Sequence, residues 1–140
     1  MSTKLDDAFA RIDAANAADP NVENGQPAEL LYGQRMTAEQ RALYPDASEP
    51  LQIACRGQHV ERWLLPRHDF PDGRKGYLEW RTEQGRRHAA RVAGIMRDVG
   101  YGEDQAIHAE KMLRKEGIKR DADVQALEDT ACFTFMRHYM

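Results

Sequence analysis

The stretch YLEWRTEQGRRHAARVAGIMRDV, residues 77–99, followed by Gly100, decides the fold. Val92, Ile95 and Val99 recur at helical spacing, and Gly100 stands where a helix closes on a left-handed residue. Stepping back from Val92 and Ile95 by one and two turns reaches His88. The same line continues to Arg81 and Tyr77. The longest helix of the chain therefore turns ionisable groups the way its core stripe faces.

Helical signals continue outward from this stretch. On the C-terminal side a helix is expected over about Glu103 to Lys115, stopped near Gly117, and Asp121 caps a last one through Tyr139. On the N-terminal side, residues 67–76 read as a loop from their Pro and Gly content. Ser48-Glu49-Pro50 opens a helix expected to run to about Leu65, before Pro66. Thr37-Ala38-Glu39-Gln40 reads as a capping box that starts a short helix ending before Pro45. Pro27 sits at a first helical position, with Leu30, Leu31 and Tyr32 behind it. Leu5, Phe9 and Ile12 form an initial stripe that ends at Asp19-Pro20. No segment shows sustained period-2 alternation, and Val, Ile and Thr are sparse. The expectation is a single compact all-α domain, residues 1–140, of six or seven helices. The apolar end, Phe133 to Met140, reads as a cut chain or as a surface packed on something further.

Composition narrows the class. The chain has 140 residues, 41% hydrophobic and 31% charged, with a net charge of −3. That mixture supports a packed core rather than disorder. No apolar run approaches a membrane span, and the N-terminus has no apolar signal region. Two cysteines, Cys55 and Cys132, make neither a disulfide framework nor a metal motif, so a reducing, cytoplasmic address is the default. Charge is unevenly spread: residues 56–97 hold ten Lys/Arg against five Asp/Glu, net +5, leaving −8 for the rest. Nine of the ten are Arg, the better fork for phosphate. Any one of them is most simply a solvated surface group. Several converging would make an anion site.

Three ionisable residues fall on apolar stripes of three different helices. His88 is one. His59 lies between Cys55 and Trp63 with Arg56 and Arg62 beside it, and Asp129 sits over Gln125, Cys132, Phe133 and Met136. Singly, each is read as a core group satisfied by a neighbour. Together, two imidazoles and a carboxylate suit a divalent transition metal with positions open to water. Such a metal would acidify its water and polarise a phosphoryl oxygen. No phosphate-loop or nucleophile-elbow motif is present, and the spacing matches no compact metal signature.

The segments Cys55–Trp63, Pro66-Arg67, Tyr77–Arg81, His88 and Gln125–Cys132 together resemble an uncharacterised bacterial and fungal family known only as a domain of unknown function. The resemblance covers nearly the whole chain and implies a fold without an activity. More loosely, the order His, His, late Asp resembles the HD metal-dependent phosphohydrolase superfamily. That likeness implies His59, His88 and Asp129 as metal ligands. It departs at Ala89, where the family's dyad has its aspartate, so either Glu128 or another carboxylate substitutes or the metal is lost.

The leading expectation is a metal-assisted phosphohydrolase acting on a phosphorylated small molecule or nucleotide. His59, His88 and Asp129 hold the metal, and Glu128 is auxiliary ligand or water-orienting base. Arg56, Arg62, Arg67, Arg74, Lys75 and Arg81 hold the anion. Two alternatives stand beside it: a metal-free module for a nucleotide or RNA end, and an interaction protein whose His, Asp and Arg form a structural polar core.

Overall fold

The computed structural model describes residues 2–117 and 120–140. The chain is all-α. In order it forms α1 (Lys4–Asn16), a hairpin of β1 (Val22–Glu23) and β2 (Gln26–Pro27), α2 (Ala28–Leu43), α3 (Glu49–Arg56), α4 (Gly73–Val99), α5 (Glu103–Leu113) and α6 (Ala122–His138). Single 3₁₀ turns at Arg62–Leu64 and Arg67–Asp69 link α3 to α4. No helix among the described residues is long and apolar enough to cross a membrane.

The helices share one apolar cluster. Ile12, Met36, Ile53, Val92, Met96 and Met112 are wholly buried in it and come from α1 to α5; Val124 and Leu127 add α6. Each such side chain contributes about 1.5–3 kcal/mol relative to exposure. The α4–α5 pair folds back at Gly100, whose φ of 106° only glycine adopts freely, and the Tyr101 N–H returns to the Met96 carbonyl at 2.9 Å.

Four boundaries differ from the sequence reading, each for a local reason. Thr37 starts no new helix: α2 runs unbroken through it, and Met36, Thr37 and Gln40 all face inward. Pro27 lies just ahead of α2, because it closes a hairpin whose Asn24-Gly25 turn has positive φ at both residues (51° and 75°). Asn-Gly is a strong hairpin signal, and it passes unremarked in a search for longer strands. The helix opened by Ser48 stops at Arg56 rather than Leu65. A Cβ on Gly57 would stand 2.6 Å from Val92 Cγ2, so the chain turns there against α4. The long helix starts at Gly73, one turn early, where Gly76 packs beneath the Pro71 carbonyl too closely for any side chain.

Candidate functional site

The early end of α3 creates the site. Residues 57–61 form a tight turn that ends with Glu61 in the left-handed region, φ 56°. The buried Asn16 holds it there by accepting the Glu61 N–H at 2.9 Å. The turn delivers His59 and the Val60 carbonyl to the edge of α4. The following 3₁₀ turn is pinned to α4 by Gln84, whose side-chain amide donates to the Arg62 and Leu65 carbonyls at 2.9 and 3.1 Å, and by Trp80, whose indole donates to Leu65 at 2.8 Å.

Between this turn, α2, α4, α5 and α6 lies a cavity of about 640 Å³, within the range of small-molecule sites. His59 and His88 both line it, with ring centroids 6.2 Å apart. His88 is 5% exposed, and its Nδ1 lies 2.9 Å from the Val60 carbonyl. A carbonyl only accepts, so Nδ1 carries the proton and Nε2 keeps a lone pair. His59 stacks flat on Tyr32 at 3.8 Å, and its Nδ1 lies 3.3 Å from Glu29 Oε1. A carboxylate also accepts, so its Nε2 is likewise the unprotonated nitrogen. Burial disfavours the charged form of both rings. Burial, then the neighbouring His59, pushes His88 down to about 3, against the pull of the Val60 carbonyl. Burial also lowers His59, with Glu29 opposing.

The rest of the lining is mixed. Arg62 lies over the Trp80 ring at 4.9 Å and Arg81 over the Tyr77 ring at 5.7 Å. Neither has a carboxylate within ion-pair distance among the described residues. Glu128 reaches in from α6. Its Oε1 is buried with no hydrogen-bond partner among the described residues, 3.4 Å from Lys115 Nζ. The Tyr139 hydroxyl, whose ring Arg35 covers at 5.2 Å, is a second buried polar atom on this wall without a hydrogen-bond partner among the described residues.

Of the ten residues picked from sequence, His59, His88, Glu128, Arg62 and Arg81 meet at this cavity. The other five do not. Asp129 is one residue past Glu128, about 100° around the helix, and faces the end of α2. There it accepts from the Tyr44 hydroxyl and the Gln125 amide, both at 2.8 Å. Arg56 forms a two-pronged bond with Asp13 at 2.8 Å and lies over Phe9, tying α3 to α1. Its assignment beside His59 presumed a continuous helix, which Gly57 ends. Arg67 is spent on the carbonyls of Phe70, Pro71 and Gly73. Arg74 and Lys75 are exposed on the first turn of α4, away from the cavity.

Sequence reading missed Glu29, Tyr32, Gln84 and Lys115. Gln84 had a signal, since it stands one turn before His88 on the same stripe. Glu29 and Tyr32 had none, because only the fold brings α2 against the turn. A separate set, His108, Asp121 and Asp123, is the one group of three potential metal ligands that lies within 4.8 Å among the described residues. Its members already satisfy one another: His108 bonds Asp121 at 3.0 Å, Asp121 caps the Asp123 N–H, and Ser48 donates to Asp123. It ties α5 to the start of α6 and stands apart from the cavity.

No curated protein and no solved structure matches the chain. Residues 6–140 match the family described as domain of unknown function DUF4202, and the chain belongs to that family.

Proposed function

We propose that this cavity is the active site of a metal-assisted phosphohydrolase whose substrate is a phosphorylated small molecule or nucleotide. The carrying observation is the state of the two imidazoles. Each commits Nδ1–H to a fixed acceptor, Glu29 or the Val60 carbonyl, and so keeps Nε2 as a lone pair. This is the orienting arrangement that metal-bound histidines have. A divalent transition metal on these nitrogens would supply an acidified water and a positive centre for a phosphoryl oxygen. Glu128, on the same wall, would act as the base that orients the water; its carboxylate and the two imidazoles do not all come within 4.8 Å of one another, so it stands outside a shared ligand set. Arg62 and Arg81, free of carboxylates, receive the phosphate charge. The HD-like reading then rests on the two histidines alone, since Asp129 lies outside the cavity and Ala89 stands at the dyad position.

Elemental analysis of protein purified without a metal-affinity tag, paired with phosphate release from a panel of nucleoside monophosphates, tests the reading. Near-stoichiometric metal is expected in wild type and lost in His59→Gln and His88→Gln. Phosphate release should fall in those variants at least about a hundredfold, the scale of losing a metal or its proper orientation. Neither metal nor phosphate release, even after reconstitution, would overturn the hydrolase. One observation favours a metal-free binding module instead: with Asp129 outside and Ala89 on the dyad position, only two nitrogens remain as candidate ligands. Binding of a nucleotide that survives removal of metal, without turnover, would support that module.

A further inference from the structure

A second depression, about 400 Å³, lies beside the main cavity between α4 and the end of α5. The two share Arg81, Gly85, Leu113 and Lys115, so they form one continuous trough. Gly85 is the saddle between them. A Cβ there would stand 3.2 Å from the Leu113 carbonyl, so the missing side chain lets α5 approach and leaves the passage open. Four cations, Arg81, Arg86, Arg114 and Lys115, line the second depression against one carboxylate, Glu116. Arg86 shares its charge with Glu83 on its own helix at 2.5 Å, yet its side chain is 57% exposed. Arg114 has its carboxylate, Glu110, only at 4.0 Å.

The main cavity is balanced differently. Its cations Arg62, Arg81 and Lys115 are matched in number by Glu23, Glu29 and Glu128, and Arg62 and Arg81, which have no ion-pair partner among the described residues, offer forks for about one phosphoryl group. Beyond the saddle the lining cations outnumber the one lining carboxylate, with Arg86, Arg114 and Lys115 each also near an acid, Glu83, Glu110 and Glu128. On the reading that the main cavity takes a phosphate, we propose that the trough binds a ligand with two phosphoryl groups. One sits between Arg62 and Arg81; the other lies over Gly85 against Arg86 and Arg114. The second group can come from a polyphosphate chain or from a second position on a sugar. Lys115 and Arg81 sit between the two subsites and serve both.

Titration calorimetry on the full chain at low ionic strength tests this with three probes: AMP, ADP and adenosine 3′,5′-bisphosphate. At least one doubly phosphorylated probe is expected to bind about tenfold tighter than AMP, the scale of one added charge-assisted contact. Which one gains tells chain from sugar. The double variant Arg86→Ala/Arg114→Ala, whose side chains lie on the surface, should erase that gain and leave AMP affinity unchanged, with an unaltered melting temperature as control. Equal affinities in wild type, or a gain that persists in the double variant, overturn the second subsite and spare the main site. No binding of any probe overturns both.

Discussion

His88 couples the site to stability through one proton. In the unfolded chain its imidazole titrates near the ordinary value of about 6.5. In the fold, burial holds it down at about 3. Between those values the unfolded state takes a proton that the folded state refuses. The stabilisation is complete above about pH 6.5 and drains away as the pH falls, at about 1.4 kcal/mol per unit for a single group. Denaturant unfolding of chelator-stripped protein at pH 7 and pH 5 should show this loss, with His59 adding in the same direction, and His88→Gln should flatten it. An unchanged slope in the variant would place the lost stability elsewhere. His88 was legible because a long helix carries its stripe a full turn past the last apolar residue. Asp129 was misassigned because a run of apolar neighbours does not say which of two adjacent acids turns inward. That choice is made by Tyr44, from a helix far away in sequence.

Among elements, α3 and the turn after it bear most on function. The start signal at Ser48-Glu49-Pro50 and the stop at Pro66 extend α3 to about Leu65 in the sequence reading. The end is tertiary: it depends on Val92 and Ile12 lying where Gly57 needs space. Asn16 at the end of α1 then fixes the turn through the Glu61 N–H. Asn16→Ala leaves the half-buried Glu61 amide, on a left-handed residue, without its acceptor, and a loss of about 1–3 kcal/mol is expected. The same change should move the NMR signals of His59 and His88 while leaving those of α5 in place. Wild-type stability, or shifts spread evenly over the molecule, would show that the turn holds itself. The helix ends marked by Gly100, at the close of α4, and by Asp121, at the start of α6, were legible to within a turn, since both residues act through local backbone geometry. Thr37 shows the converse, a cap pattern overridden by core contacts on both sides.

The whole molecule separates its two thiols. Cys55 is fully buried in the shared core, and burial pushes its thiol up to about 12. Cys132 is exposed on the cavity-lining side of α6. A thiol reagent should add once, rapidly, at Cys132, and reach Cys55 only on the timescale of global unfolding. Mass spectrometry of the adducts against time checks this. Two fast additions would mean that the core opens locally. Folding class and the helix inventory were readable at this scale from composition and punctuation. The cavity was not, because its walls are drawn from distant stretches that no spacing rule connects.

That scattered origin has a consequence for dissection and recombination. Glu29 and Tyr32, the turn with His59, His88 and Gly85, Lys115, and Glu128 follow one another down the chain, so every connection after α2 has part of the site on each side of it. Cutting the backbone in the loop ahead of α4 gives one fragment with His59 and another with His88, and neither is a smaller version of the whole. The trait cannot be inherited or grafted piecemeal. Its return on mixing two such fragments would report their reassembly, as a split reporter does.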